Sequence, residues 1–232
     1  MVSVAVHIGV GSRSSGDSVQ RLSHFGTSIG LLDQHELLGA RATVARATAT
    51  IDAAARRVGP GDRLVLSFSG HAVRDGGWTL HDGTLRHPDT ATFLARVDPR
   101  ARVLVVADTC YAATFAEVIG LIPAATVLLA ACAAHQTTLD HPVSEFVTAL
   151  IRYLPADHRP AELQRVLRAG APDIECPAVI AMGDPPPRKP GTPGLVAGGT
   201  VVPTTSAAPT TTRYFADPIG SASAGGRRYI GP

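Results

Sequence analysis

Leu64-Val65-Leu66-Ser67-Phe68-Ser69-Gly70-His71 and Val103-Leu104-Val105-Val106-Ala107-Asp108-Thr109-Cys110 decide how this chain folds. Each is a short apolar run, rich in Val and Leu, that ends on small or polar residues and reads as a strand. One helix-length segment, about Asp89 to Val97, lies between them, so the unit reads strand–helix–strand. Such a crossover is almost always right-handed and sets its two strands parallel in one sheet. His71 and Cys110 then arrive at the carboxyl ends of their strands, on the edge where open α/β sheets bind ligands. A thiol and an imidazole brought together there form a nucleophile and its base.

The rest of the chain extends the same alternation. Val2 to Gly9 reads as a first strand, and Ser12 to Gly16 as a polar, mobile loop. Asp17 to Leu32 carries Val19, Leu22, Phe25 and Ile29 at helical spacing. His35 to Leu38 reads as a brief strand. Thr43 opens a stronger helix with Val44, Ala47, Ile51, Ala54 and Val58 on one face, and Gly59-Pro60-Gly61-Asp62 stops it. Trp78-Thr79-Leu80 suggests a small hairpin closed by Asp82-Gly83. Past Cys110, Ala112 to Ile119 reads as a helix, Thr126 to Ala131 as a strand, and Val143 to Tyr153 as an amphipathic helix. Pro160 to Ala169 reads as another helix and Ala178 to Met182 as a last strand. The expectation is an α/β fold in three layers, with a mostly parallel central sheet of about six strands between helices. Residues 1–184 form that domain. From 185 to 232 the chain turns to Gly, Pro, Ser, Thr and Ala without periodicity, a flexible tail by composition.

Composition narrows the function. The chain has 232 residues, 45% hydrophobic and 17% charged, which suits one globular domain with a real core. A net charge of +2 gives no reason to expect a nucleic-acid partner. Lys189 is the only lysine; in so alanine-rich a chain the arginines reflect codon composition rather than phosphate recognition. No run approaches the roughly 18 apolar residues of a membrane span, and the start lacks the pattern of a secretory signal. Cys110, Cys132 and Cys176 make no even disulfide framework. A reducing compartment, the cytoplasm, is therefore expected. Cys132, His135 and His141 have no zinc-site spacing and no evident fourth ligand, so neither metal nor other cofactor is expected.

Ser69-Gly70-His71 and Asp108-Thr109-Cys110, each ending a strand and separated by one helix, resemble the caspase-like superfamily of cysteine peptidases. The likeness is nearest to its bacterial metacaspase-like, or orthocaspase, branch. A third block, Ala130-Ala131-Cys132-Ala133-Ala134-His135-Gln136-Thr137-Thr138-Leu139-Asp140 followed by Phe146-Val147-Thr148-Ala149-Leu150, looks like that branch's fifth strand and the Gln-Thr-Ser-Ala-Asp loop before a helix. The chain also departs from the pattern. Ala72 stands where a glycine usually follows the histidine, and Tyr111-Ala112-Ala113 replaces His-Ser-Gly. Ala134 and His135 replace acidic residues, and the stretch after His71 lacks the acidic cluster associated with calcium activation. These departures bear on substrate preference and calcium dependence rather than on the dyad.

The resemblance implies an endopeptidase acting on a protein or peptide substrate, in regulated proteolysis, cell death or defence. Cys110 would attack the carbonyl, helped by the positive end of the following helix and by the imidazole. His71 would protonate the leaving amine and then activate water. Backbone N–H groups at Gly70, Ala72 and Cys110 would hold the oxyanion. Extended geometry puts Asp108 on the face away from Thr109, where a carboxylate suits an Arg or Lys side chain before the cleaved bond. Metacaspases use this aspartate in that way, and Asp140 matches the family's second acidic position. Each residue also has a plainer reading: Cys110 as a small core hydrophobe, His71 as a solvated loop residue, Asp108 as a helix N-cap. Two other functions fit the residues, an inactive caspase-like adaptor with a regulatory partner and a Cys-dependent amidase or acyltransferase lacking the Asp108 pocket.

Overall fold

The structure is a computed structural model describing residues 2–138, 144–153, 163–165, 167, 169 and 178–182. Its centre is a six-stranded sheet. The strands are β1 (Ser3–Gly9), β2 (Asp33–Leu38), β3 (Arg63–Gly70), β7 (Arg102–Thr109), β8 (Ala125–Ala130) and β9 (Ala178–Met182), ordered β2-β1-β3-β7-β8-β9. The first five run parallel, and β9 closes the far edge antiparallel to β8. A second, three-stranded sheet is formed by β4 (Ala72–Val73), β5 (Gly77–Leu80) and β6 (Gly83–Arg86).

The Val- and Leu-rich runs are apolar throughout because helices cover both faces of the sheet. Leu64, Leu66, Phe68, Val103, Val105 and Ala107 pack with α2 (Val44–Arg57) and α3 (His87–Leu94). Val65, Leu104 and Val106 pack on the other face with α1 (Arg13–Ser28) and α4 (Glu145–Tyr153), joined by Leu163 and Leu167. Residues 163–165, 167 and 169 are helical, within the range read as a helix from sequence. The molecule is thus an α/β three-layer sandwich. From β1 the chain steps outward to β2 across one face, then returns across the other to β3 and onward to β7. That reversal makes the carboxyl ends of β1 and β3 the switch point of the sheet, where open α/β folds leave a crevice.

Local chemistry sets the element ends. Thr43 caps α2 by accepting the Arg46 N–H at 3.2 Å. Asp82, in the hairpin turn, accepts the Val44 N–H at 2.7 Å, and the His81 N–H donates to the Ala42 carbonyl at 3.0 Å. The hairpin is therefore pinned to the start of α2. The first helix departs from the sequence reading, which placed a loop at Ser12–Gly16 and a helix at Asp17–Leu32. It starts at Arg13, because Ser15 and Ser18 are small enough to be buried against the sheet beside Val19. It stops at Ser28, where Gly30 turns left-handed and the Leu31 N–H closes on the Gly26 carbonyl at 2.8 Å. Leu32 is left outside, 80% exposed.

Two buried histidines shape the interior. His7 lies between Ser67 and Gln34, with Nδ1 2.7 Å from the Ser67 hydroxyl and Nε2 2.9 Å from Gln34 Oε1. Gln34 Nε2 donates to the Ser23 carbonyl and to Thr27 Oγ1, which fixes the amide. Its oxygen can only accept, so His7 carries its proton on Nε2 and accepts from Ser67. Burial holds the His7 pKa below the usual value. His87 stands in an aromatic cluster, edge-on to Trp78 and Phe115 at centroid distances of 5.4 and 5.1 Å. Trp78 is stacked between Phe68 at 5.0 Å and Phe115 at 5.4 Å. Through this stack the hairpin after His71 is bonded to the strand before it and to the segment after Cys110.

Burial pushes the His87 pKa down to about 4 from 6.5. The unfolded chain binds the proton more readily, so the neutral ring's stabilisation is complete above pH 6.5 and is lost as the pH falls toward 4. The swing is on the order of 3 kcal/mol. His87→Phe keeps the ring contacts and removes the titration. Urea midpoints at pH 7 and pH 4.5 should fall less for the variant than for the wild type; equal falls would show that His87 does not bear the acid sensitivity.

Candidate active site

The register of β3 against β7 builds the site. Ser69 pairs with Asp108 and Gly70 with Thr109, so the next residues out are His71 and Cys110, at the carboxyl ends of adjacent parallel strands. His71 is exposed and Cys110 half-buried. No hydrogen bond joins their side chains among the described residues. The His71 ring lies over Gly11, in the loop after β1, so closely that a Cβ there would sit 3.2 Å from its Cδ2. His71 therefore stands at the switch point between β1 and β3.

Gly70 explains how the chain reaches that position. Its φ is 154°, and a Cβ would collide with the Val10 carbonyl oxygen. The strands are held together there by the Val10 N–H donating to the Ser69 carbonyl at 3.0 Å. Beyond His71 the chain turns into the hairpin, where the Thr79 N–H donates to the His71 carbonyl at 2.9 Å. Ala72 is thus in a non-hydrogen-bonded pair with Trp78, so its N–H points away from that partner strand.

Cys110 is gripped by Thr138. The Thr138 N–H donates to Sγ at 3.4 Å, and the thiol lies 3.8 Å from the Thr138 carbonyl and 3.7 Å from its hydroxyl. Tyr111 follows with φ 54°, the one described residue other than glycine in the left-handed region. Its N–H donates to the Gln136 carbonyl at 2.7 Å. The segment read as an α-helix over Ala112–Ile119 is instead two 3₁₀ pieces, Ala112–Glu117 and Ile119–Leu121. Its bonds run from i to i−3, with the Thr114 N–H closing on the Tyr111 carbonyl at 2.9 Å and the Val118 N–H on the Phe115 carbonyl at 3.2 Å. The Ala113 N–H, which any helix starting here leaves without an internal partner, goes to the Cys132 carbonyl at 3.1 Å. The helix expected to follow Cys110 is therefore a short 3₁₀ segment, and the Thr138 amide donates to the Cys110 sulfur.

Asp108 lies on the α1/α4 face, opposite Thr109. Its carboxylate accepts from Ser69 Oγ at 2.8 Å on one oxygen and from Ser144 Oγ at 2.9 Å on the other. The N-cap of the segment after Cys110 is Tyr111, so Asp108 does not occupy the N-cap position read as its alternative role. Asp140 lies outside the described residues, as do His141, Cys176 and the 185–232 tail. Cys132 is buried just past β8, its sulfur 3.3 Å from both the Thr109 and the Gln136 carbonyl, either of which can accept its one S–H. Burial pushes its thiol up to about 11, so it stays protonated near neutral pH. Sequence reasoning passed over Ser69, Thr138 and Ser144. Ser144 had a local signal, a serine directly before an apolar helix; the Thr138 contact had none, because it depends on how a loop returns to Cys110.

No protein-family model matches the chain, and no curated protein matches it. Among solved structures it is similar to protein GSU0716 from Geobacter sulfurreducens, a structural-genomics target, with a TM-score of 0.68. The two are 18% identical, over 80% of this chain and 95% of that one, and the likeness carries the fold alone.

Gly70→Ala should destabilise the fold by about 1–3 kcal/mol, the usual range for strained backbone. It should also spread the His71 ring signal in NMR spectra as the ring leaves Gly11. A variant with wild-type stability and an unmoved His71 resonance would show that the Gly70 geometry is not required.

Proposed function

We propose that the chain is a cysteine endopeptidase of the caspase-like kind, working in the cytoplasm, with Cys110 as nucleophile, His71 as acid and base, and Asp108 as the recogniser of an Arg or Lys side chain. The observation that carries the reading is the β3–β7 register, which sets an imidazole and a thiol on adjacent strand ends with a tethered carboxylate one strand repeat below.

Cys110 must give up its proton to His71 to attack a peptide carbonyl, and the Thr138 N–H donates to its sulfur at 3.4 Å. Sulfur then bonds to the carbonyl carbon, and the negative oxygen is received by N–H groups at Gly70, Ala72 and Cys110. His71 protonates the departing amine, leaving a thioester on Cys110, and afterwards takes a proton from the water that hydrolyses it. The lack of a direct His71–Cys110 bond fits a dyad that a substrate bridges, since catalytic hydrogen bonds often tighten only in the complex. Asp108 offers a carboxylate on the same face, two residues before the nucleophile, and a cationic side chain reaching it would align the preceding peptide bond.

Turnover of fluorogenic peptides ending in Arg or Lys tests this. Cys110→Ala should abolish it, and His71→Ala should lower kcat by about 10²–10⁴-fold. Asp108→Asn should lower kcat/KM for an arginyl peptide by about tenfold or more, removing a charge-assisted contact, while Cys110 keeps its rate of alkylation by iodoacetamide. Near-normal turnover in Cys110→Ala would overturn the assignment. A folded wild type inert to every basic peptide would make the chain a binding module, and turnover indifferent to the charge before the cleaved bond would make it an amidase or acyltransferase.

A further inference from the structure

We propose that Ser144 is a positioning residue that sets the orientation of the Asp108 carboxylate and ties it to the start of α4. This rests on the reading of Asp108 as the recogniser of a basic side chain. The Ser144 hydroxyl has two partners with opposite demands. Its oxygen accepts the Val147 N–H at 3.1 Å, as an N-cap does. Its oxygen also lies 2.9 Å from Asp108 Oδ1, an atom of an acceptor-only carboxylate. The one hydroxyl hydrogen is therefore directed at Asp108, and the helix amide fixes where the oxygen sits. Ser69 does the same for Oδ2, from β3. The carboxylate is thus held at both oxygens by groups on different elements, and its rotation is fixed.

Both tethers are neutral, so they orient the carboxylate without cancelling its charge. A guanidinium is a planar fork and gains from a carboxylate already turned to meet it, because less freedom is lost on binding. The helix start is itself anchored: the Thr148 hydroxyl and N–H both donate to the Ser144 carbonyl, at 2.8 and 3.1 Å. Arg21 of α1 donates to the Thr148 hydroxyl at 2.9 Å. The residue that orients the carboxylate is in this way fixed to two helices of the layer beneath.

The test compares two peptides that differ only in Arg or its neutral isostere citrulline before the cleaved bond. The wild type should favour Arg strongly. Ser144→Ala should reduce the Arg-to-citrulline ratio of kcat/KM about tenfold, through a rise in KM for the arginyl peptide larger than any fall in kcat. Ser144→Thr, which keeps the hydroxyl, should restore the ratio. Should Ser144→Ala not fold, Ser144→Gly serves, because glycine at an N-cap costs only a few tenths of a kcal/mol. A purely structural role would lower both peptides together and leave the ratio at its wild-type value, which would overturn the proposal. A wild type that does not distinguish Arg from citrulline would overturn the reading of Asp108 instead.

Discussion

Everything at the candidate site depends on the parallel pairing of β3 with β7 in a register that sets Ser69 beside Asp108. Side chains alternate along a strand, so a slip of one residue would move Asp108 to the opposite face and carry His71 and Cys110 out of step. The register is specified twice over. Leu64, Leu66 and Phe68 match Val103, Val105 and Ala107 in one core, and the Ser69–Asp108 hydrogen bond checks the alignment from the other face. The same bond that reports correct folding therefore also tethers the carboxylate used in the proposed chemistry.

A second constraint concerns the two loops. His71 opens a hairpin and Cys110 opens a tight turn, both at the sheet's edge. The Phe68–Trp78–Phe115 stack joins them below the surface, so neither loop is free to drift from the other. Above it, the 134–138 loop returns to Cys110 through Thr138 and to Tyr111 through Gln136. The Cys110 thiol, His71 imidazole and Asp108 carboxylate all stand at strand ends, the supported placement that the proposed chemistry requires.

The parts legible in the sequence were those decided by local pattern. The paired Val/Leu runs announced buried parallel strands, and Thr43 with its apolar stripe announced α2 within one residue. Errors fell where turn geometry and tertiary packing overrode local composition. Ala112–Ile119 reads as an α-helix, yet Tyr111 enters it left-handed and Thr114 closes on the Tyr111 carbonyl with both its N–H and its hydroxyl, leaving 3₁₀ turns. Ser12–Gly16 looks like a loop by polarity, yet Ser15 is small enough to be buried in the first turn of α1. At the site, His71, Cys110 and Asp108 were legible because strand ends display them. Ser144 and Thr138 act across gaps of 36 and 28 residues, set by where the start of α4 and residues 134–138 pack.

The most direct test of the account is covalent. Protein treated with an arginyl acyloxymethyl ketone can be weighed intact and then mapped by peptide mass spectrometry. The account predicts one adduct per chain, on Cys110, with Cys132 unmodified since burial keeps it protonated. Formation of that adduct should slow markedly when a neutral side chain replaces arginine in the reagent. Labelling spread over several thiols, or no adduct on a folded chain whose Cys110 still reacts with iodoacetamide, would contradict it.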